Sequence, residues 1–335
     1  MREVSITSVQ EMRYLASFIG CAASISRINE YERPIDVFSP TKSRLTTTLP
    51  STIRCSSFDA FESFMASDAI RRSEIDAFEA GLLTESDSFT VPGRCAICRR
   101  NVQFIVDYQW GGTGPDGSRR PNWRERLVCP KCHLNNRMRA ALGFLLADCG
   151  WLDKIYLTEA TTQLFRIASR RRPRTTGSEY LRDGTKPGAS NAKGLRHEDA
   201  TQLSFADRSF HQIGTFDVLE HIPDYRAALA EFFRCLKPSG RLLITVPFVL
   251  GSPTTITRAV IQPDGSVQHL LPPEIHGDPL DSEGALCFYH FGWDLLESLR
   301  RVGFEDAGLS FFWSPELGYL GGYQFVITAR RPSAR

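Results

Sequence analysis

The chain has 335 residues, enough for two domains, and its 42% hydrophobic and 23% charged residues are typical of a globular protein. The net charge of +2 comes from 40 basic against 38 acidic residues, so the overall charge does not favour a nucleic acid or an anionic membrane as partner. No apolar run reaches about 18 residues, so no membrane-spanning helix is expected, and Tyr14 to Ser26 is too polar to predict a signal peptide.

Residues 1–90 are predicted to be a helical and irregular N-terminal extension. Phe58 to Leu83 has apolar residues at helical spacing, which predicts one or two amphipathic helices. Residues 40–57 are rich in Ser, Thr and Pro and are predicted to be loop. No chemistry is assigned to this region.

Residues 91–136 contain two CxxC pairs, formed by Cys95, Cys98, Cys129 and Cys132. Two intervening residues let each pair form a tight turn that directs both sulfur atoms at one point, and two such turns complete the tetrahedral shell of Zn²⁺. The 30-residue gap between the pairs predicts a zinc ribbon with a Gly/Pro-rich excursion. Four thiolates leave no open coordination position, so the zinc is expected to be structural and His133 to be a surface residue.

The remaining cysteines are scattered. The total of nine is odd and shows no framework spacing, which argues against a disulfide scaffold. This usage favours a reducing compartment, and a cytoplasmic location is expected.

Residues 137–335 alternate apolar strands with helical segments, which predicts a parallel sheet covered by helices on both faces. Strands are predicted at 154–159, 175–181, 194–199, 211–220, 241–248, 309–313 and 323–330. In such sheets ligands bind beyond the carboxyl ends of the strands. Asp217, Glu220 and His221 end the fourth strand and are therefore expected at a binding site.

The stretch from His197 to Phe248 resembles the class I S-adenosylmethionine-dependent methyltransferases of the broad type-11 kind. It contains an acid followed by a small residue, the segment FADRSF, a strand ending in LEH, a helix, and then LKPSG before another strand. Ser239 replaces the first glycine of the usual Gly-Gly. The resemblance implies a doubly wound, mostly parallel, seven-stranded Rossmann-like α/β sheet over residues 137–335, with S-adenosyl-L-methionine as cofactor.

The resemblance also implies roles for individual residues. Glu179 would accept both ribose hydroxyls, and Asp199 would accept the adenine amino group, with Ala200 packing nearby. The other candidate cofactor-binding residues are Glu159, Thr161 and Asp217.

The first loop departs from the acid-Gly-x-Gly pattern of the family. Ala160 to Gln163 follow Glu159 in place of the glycines, and β-branched residues do not readily take positive φ. Either the loop is built differently, with threonine hydroxyls at the methionine part of the cofactor, or cofactor affinity is weakened or lost.

Two histidines are the candidate catalytic residues. His221 is predicted to act as a general base or substrate contact because the pKa of imidazole lies near physiological pH. His276 lies in residues 249–280, a long insertion after the fifth strand that predicts an acceptor pocket. Alternatively, Asp217, Glu220 and His221 could hold a divalent metal, as at the corresponding place in similar quinone O-methyltransferases.

Three functions follow as hypotheses. The first is a methyltransferase acting on an O or N nucleophile of a small-molecule or glycan-like acceptor. The second is an RNA methyltransferase, which requires a basic surface over Arg99, Arg100, Arg119, Arg120, Arg124, Arg137 and Arg139. Neutralisation of these arginines by neighbouring acids would count against it. The third is a non-catalytic binding or scaffold protein. No membrane partner is expected, and the oligomeric state is left open.

Overall fold

The structure is a computed structural model that describes residues 49–114 and 116–334; the stretch from Tyr14 to Ser26 lies outside them. The described chain begins with strand β1 (Ile53–Cys55) and helices α1 (Phe58–Ser67) and α2 (Ala69–Ala80). Ser57 caps α1, because its side chain accepts the N–H of Ala60 at 3.2 Å. The predicted helices are therefore present, whereas β1 occupies a stretch that was predicted to be loop.

The cysteine-rich region folds as a small antiparallel unit, here called the ribbon. Strands β2, β3 and β6 form its three-stranded sheet, and β4 pairs with β5 in the excursion between the cysteine pairs. The bounds of its elements are β2 (Ser88–Cys95), β3 (Arg100–Asp107), β4 (Gly112–Thr113), β5 (Arg119–Arg120), α3 (Trp123–Arg126) and β6 (Leu127–Val128).

Alternating helices and strands follow the ribbon. They are α4 (Asn136–Ala147), β7 (Ile155–Leu157), α5 (Gln163–Arg171), β8 (Thr175–Gly177), β9 (Phe210–Phe216), a 3-10 turn (Leu219–His221), α6 (Tyr225–Cys235) and β10 (Leu236–Thr245). The predicted third strand at 194–199 is not formed as a strand. Among the described residues, a single parallel bridge from Glu179 to His197 is found where this strand was predicted. The backbone of His197 also forms hydrogen bonds with the loop at 188–189.

The insertion after β10 consists of short strand pairs, and the chain then ends in a helix and two long strands. The pairs are β11 with β16, β12 with β13, and β14 with β15. Their bounds are β11 (Ile256–Thr257), β12 (Ala259–Ile261), β13 (Val267–His269), β14 (Ile275–His276), β15 (Ala285–Leu286) and β16 (Tyr289–His290). The final elements are α7 (Asp294–Val302), β17 (Glu305–Ser314) and β18 (Tyr319–Arg330).

Seven strands form one mixed sheet in the order β1-β17-β18-β10-β9-β7-β8. Strands β8, β7, β9 and β10 run parallel, and the parallel bridge to His197 extends this half. Strands β18, β17 and β1 are attached antiparallel. The seventh strand is thus β1, from the N-terminal extension, rather than the predicted segment at 194–199.

Side chains alternate along the sheet, so that it contributes to two hydrophobic cores. Leu242 and Ile244 of β10 pack in the core that contains α6, α7 and α1, whereas Leu243 packs in the core that contains α4, α5 and the ribbon. Helices therefore cover both faces, as the apolar strands predicted.

The ribbon shares the second core rather than standing apart. Phe104 and Leu127 of the ribbon belong to the same buried cluster as Leu142 and Leu157. Gly318, in the turn between β17 and β18, has a φ of +66°, and a Cβ there would lie 2.2 Å from Phe104 Cε2. Arg139, fully buried, donates to Leu317 O at 2.9 Å and stacks 4.2 Å from the Phe104 ring. The domain boundaries that the sequence analysis gives remain a prediction.

Helix α2 is tied to the sheet by one buried carboxylate. Glu79 accepts hydrogen bonds from Trp313 Nε1 and Gly321 N, both at 2.8 Å, and from Gly322 N at 3.1 Å.

In the part of the chain that is described, no helix is both long and apolar enough to cross a bilayer.

Candidate cofactor cavity and metal centres

A cavity of about 1470 Å³ lies at the carboxyl ends of β7, β8 and β9. It is lined by every residue predicted for cofactor binding or catalysis: Glu159, Thr161, Glu179, Asp199, Ala200, Asp217, His221 and His276. Their position follows from the sheet, because parallel strands bring their carboxyl ends to one edge. His276 reaches the cavity from β14 of the insertion. The structure thus brings these residues together, while their individual roles stay predictions.

The first loop forms without glycine because it needs no left-handed residue. None of residues 159–163 has a positive φ, and Thr162 caps α5 by accepting the N–H of Phe165 at 3.1 Å. The close approach to the neighbouring strand is made by Gly177, where a Cβ would lie 2.4 Å from Glu159 O. Gly177 therefore lets β8 pack closely against the end of β7 beside this loop.

Glu179 organises this loop as well as facing the cavity. Its Oε1 atom accepts the N–H groups of Ala160 at 2.7 Å and Thr161 at 2.9 Å, and the Thr161 hydroxyl at 2.8 Å. Its Oε2 atom accepts no hydrogen bond from the described residues, so one carboxylate oxygen remains for a ligand. Asp199 is held similarly, with Oδ1 accepting the N–H of Thr201 at 2.8 Å.

Glu159 is a buried acid at the end of β7. Only 7% of its surface is exposed, and Oε1 has no hydrogen-bond partner among the described residues. Burial raises the pKa of Glu159 to about 7, with Glu179 and Asp217 adding to the rise and Arg137 opposing it. A cationic group entering the cavity would find an acid able to ionise beside it.

Asp217, which follows β9, is bound by two arginines that only the RNA hypothesis named, as part of a basic surface. Arg124 contacts its carboxylate at 2.8 and 3.0 Å, Arg137 at 3.1 Å, and the Thr245 hydroxyl donates at 2.8 Å. Although burial opposes the charge, Arg137 and Arg124 hold the pKa of Asp217 well below its usual range. The hypothesis that Asp217, Glu220 and His221 share a metal is therefore not supported, since Asp217 already has two cationic partners.

Glu125 links the ribbon to the same network. It pairs with Arg124, accepts from Arg137 Nε at 2.9 Å, and accepts from Asn135 Nδ2 at 2.6 Å. Helix α3 lies between the two cysteine pairs, so the ribbon supplies part of the cavity wall. The sequence carried only a weak signal for this, namely two arginines close to the cysteines.

The arginines of the RNA hypothesis are mostly engaged with acids or buried. Arg119 pairs with Asp87 at 3.1 Å and Arg120 with Asp116 at 2.9 Å. Arg124 and Arg137 are neutralised at the cavity, and Arg139 is 0% exposed. This arrangement counts against the basic surface that an RNA methyltransferase would require.

A second group of titratable side chains faces the cavity from the 3-10 turn and the insertion. The rings of His221 and His276 lie 4.9 Å apart, and their nitrogens are 3.8 and 3.7 Å from Glu220 Oε1. Glu220 is 0% exposed, and neither carboxylate oxygen has a partner among the described residues. Burial raises the pKa of Glu220 well above its ordinary value and lowers the pKa of His221.

The four cysteines converge as the two CxxC pairs predict. Their sulfur atoms lie within 4.8 Å of one another, with Cys95 to Cys132 and Cys98 to Cys129 both at 3.8 Å. In each turn an N–H donates to the first sulfur of the pair at 3.4 Å, from Cys98 to Cys95 in the first turn and from Lys131 to Cys129 in the second. Arg99 and the exposed His133, which follow the second cysteine of each pair, both have a φ of +58°.

These sulfur separations fit a tetrahedral ion. Ligands about 2.3 Å from a tetrahedral Zn²⁺ stand roughly 3.8 Å apart, whereas the sulfurs of a disulfide are bonded at about 2.05 Å. The eight cysteines in the described parts of the chain are all free of disulfides.

Two sequence comparisons match part of the C-terminal region to methyltransferases. The family model of the Methyltransferase domain matches residues 164–244. A stretch of 64 residues is 36% identical to Methyltransferase GfsG of Streptomyces halstedii, and it covers 19% of this chain and 23% of that protein. The chain thus spans less than a quarter of that relative's length. Both comparisons support a methyltransferase, and neither identifies the acceptor.

Solved methyltransferase structures are similar at low identity. An S-adenosylmethionine-dependent methyltransferase from Mesorhizobium loti is 16% identical with a TM-score of 0.35, covering 57% of this chain and 96% of that one. The 1,6-didemethyltoxoflavin-N1-methyltransferase of Burkholderia thailandensis is 20% identical with a TM-score of 0.34, covering 58% and 78%.

Proposed function

We propose that the protein is an S-adenosylmethionine-dependent methyltransferase that methylates an O or N nucleophile of a small-molecule or glycan-like acceptor. The main support is the cavity in which acids following β7, β8 and the bridge at His197 face one space, within and beside the matched residues 164–244. The engaged arginines of the ribbon disfavour the RNA alternative, and the orphaned acids of the cavity favour ligand binding over a purely structural role.

The cofactor would lie across the carboxyl ends of β7 and β8. The free Oε2 of Glu179 would accept the ribose hydroxyls, Asp199 the adenine amino group, and Ala200 would pack beside the ring. Glu159 would pair with the amino group of the methionine part, and Thr161 would border it. Asp217, held by its arginines, would shape this end of the site.

The acceptor would occupy the side of the cavity that His221, His276 and the insertion form. Ligand pockets commonly measure about 300–1,000 Å³, so a cavity of about 1470 Å³ has room for a cofactor together with an acceptor. In the reaction the nucleophile bonds to the methyl carbon as the carbon–sulfur bond breaks, and the nucleophile loses its proton. His221 and His276 are the candidates for activating the acceptor.

The ribbon would hold one structural Zn²⁺ through Cys95, Cys98, Cys129 and Cys132. The sulfur separations support this assignment, as does the closed donor set, which leaves no position for a substrate. The ribbon would act by building the cavity wall through α3.

The test of the function is calorimetric titration of the protein with S-adenosylhomocysteine, the demethylated cofactor. We expect saturable binding, weakened about 10- to 150-fold in Glu179→Gln, because the ribose hydroxyls lose a charged acceptor. Glu283→Gln, which changes an exposed acid in the insertion, should bind as the parent does. If the parent protein binds no S-adenosylhomocysteine at millimolar concentration, the proposal fails.

Cofactor binding should strengthen as pH rises from 6 to 8. The cofactor's amino group pairs with ionised Glu159, whose pKa is raised to about 7 before binding, so below pH 7 a proton must be released. The affinity should change by up to about tenfold per pH unit below that pKa. Titrations at several pH values measure this, and the slope should vanish in Glu159→Gln. An equal slope in that variant would mean that another group titrates.

A further inference from the structure

We propose that Glu220, His221 and His276 bind a divalent transition-metal ion such as Zn²⁺, at a site separate from the ribbon, and that this ion activates the methyl acceptor. The proposal rests on the proposed function for the identity of the reaction, whereas the ion site itself rests on geometry. Two imidazoles and one carboxylate also form catalytic zinc sites in other proteins. Magnesium prefers oxygen ligands, which makes it a poor match for two histidines.

The three ligand atoms converge on one point. Glu220 Oε1 lies 3.8 Å from His221 Nε2 and 3.7 Å from His276 Nδ1, and the three atoms fall within 4.8 Å of one another. Ligands about 2.0–2.1 Å from a tetrahedral zinc would stand roughly 3.4 Å apart. The two separations from Glu220 Oε1 are therefore within about 0.4 Å of the spacing that a tetrahedral zinc requires.

Glu220 is a carboxylate that lacks a cation. It is 0% exposed, and both of its oxygens are without a partner in the described chain. The nearby arginines are occupied, since Arg124 and Arg137 bind Asp217 and Glu125. A buried carboxyl group is normally paired, hydrogen-bonded, protonated or bound to metal, and the described surroundings of Glu220 supply neither a paired cation nor a hydrogen bond to its side chain.

Both histidines direct an unprotonated nitrogen at Glu220. His221 Nδ1 lies 2.8 Å from Leu286 O, a carbonyl that can only accept, so Nδ1 carries the proton and Nε2 has a lone pair. His276 Nε2 likewise lies 2.9 Å from Glu274 Oε1, which leaves Nδ1 as its lone-pair nitrogen. With both rings neutral and Glu220 ionised, three acceptors face one another without a donor between them, as metal ligands do.

The outer contacts are those that orient metal-binding histidines. Glu274 accepts from His276 and is itself held by His290 Nε2 at 3.0 Å and Arg258 Nη2 at 3.2 Å. A carboxylate behind a ligating imidazole fixes its tautomer and raises its basicity. The ion would join two separate elements, because Glu220 and His221 follow β9 whereas His276 comes from the insertion.

The site opens toward the acceptor. His221 and His276 line the cavity, while Glu220 lies beneath them, so a bound ion would keep at least one coordination position facing the cavity. An acceptor hydroxyl binding there would lose its proton to water more easily. Its oxygen then forms the bond to the methyl carbon, the carbon–sulfur bond breaks, and the ion stays divalent throughout.

The test is a count of bound zinc on the full-length protein with its ribbon loaded. After equilibration with Zn²⁺, the parent should hold two zinc ions per chain, and Glu220→Gln and His276→Ala should each hold one. Glu274→Gln should bind the second ion about 10- to 100-fold more weakly, the usual effect of losing an outer partner. His269→Ala, which removes an exposed histidine of the same insertion, should hold two. A parent protein with one zinc, or variants that keep both, would overturn the site.

Titration of the same samples with S-adenosylhomocysteine separates the two proposals and reports on folding. Cofactor binding with no second zinc would end this inference and leave the proposed function intact. A second zinc without cofactor binding would support the ion site and end the proposed function. Retained cofactor binding in Glu220→Gln would show that its lost zinc reflects the missing ligand and not unfolding. Mg²⁺ at the same concentration should not displace the second zinc, and displacement would contradict the transition-metal assignment.

Discussion

Cys129→Ser is expected to remove zinc from the ribbon and to unfold the protein, with loss of cofactor binding. Structural zinc contributes about 10–16 kcal/mol in zinc-finger peptides, whereas whole domains are stable by only about 5–15 kcal/mol. The ribbon cannot unfold alone, because Phe104 and Leu127 share a core with Leu142 and Leu157. Helix α3, which carries Arg124 of the cavity wall, is anchored between the two cysteine pairs.

The measurement is zinc content together with thermal unfolding and S-adenosylhomocysteine titration. Cys149→Ser is the matched control, since it alters a buried cysteine outside the cluster. That change should leave the zinc in place and cost about 1 kcal/mol. If zinc-free Cys129→Ser has the same melting temperature and the same cofactor affinity as the parent, the zinc of the ribbon is not required for folding or binding.

Arg137→Ala should destabilise the protein by up to about 3–5 kcal/mol, which is the cost of removing one partner from a fully buried ion pair. Its guanidinium contacts Glu125 at 2.9 Å and Asp217 at 3.1 Å, with only 11% of its side chain exposed. Without it, Arg124 remains as the cation facing two partly buried acids. Urea unfolding measures the loss, and Arg170→Ala, at the exposed end of α5, should change stability by less than about 0.5 kcal/mol.

The loss in Arg137→Ala should grow as pH rises above 7. Arg137 opposes the rise in the pKa of Glu159, so its removal raises that pKa above about 7. An acid whose pKa is higher in the folded state than in the unfolded state binds more protons when folded, and stability then falls with increasing pH up to the folded pKa. In the variant this fall continues to a higher pH. Each additional pH unit lowers the free energy of unfolding by up to about 1.4 kcal/mol. The stabilisation of Asp217 works in the opposite sense, since its depressed pKa gives stability that is lost only as pH falls below about 4. A loss that stays constant from pH 6 to 8 would contradict the coupling to Glu159.

The predicted elements that proved right were those with local causes. The apolar strands at 154–159, 211–220 and 241–248 and the amphipathic stretch from Phe58 to Leu83 carry their periodicity in the sequence. The four cysteines likewise needed only their spacing, because a two-residue separation aims both sulfurs of a pair at one point.

Sequence order also located one edge of the sheet as the place for the candidate site. Parallel strands present their carboxyl ends together, so Glu179, Asp199, Asp217 and His221 were expected to be neighbours, and they line one cavity. The first loop was harder to predict, because its N–H groups bind Glu179, a residue that follows the neighbouring strand.

Only the tertiary structure decided which charges meet. Arg137 lies 80 residues before Asp217 and was considered only as part of the basic surface that the RNA hypothesis requires, yet it is largely buried and pairs with that acid. Glu220 was grouped with Asp217 by sequence spacing, but folding leaves it facing His276 from the insertion, while the nearby arginines pair with Asp217 and Glu125. Periodicity reports which face of an element is buried, whereas the pairing of buried charges depends on contacts between elements that are distant in sequence, and no local pattern encodes those contacts.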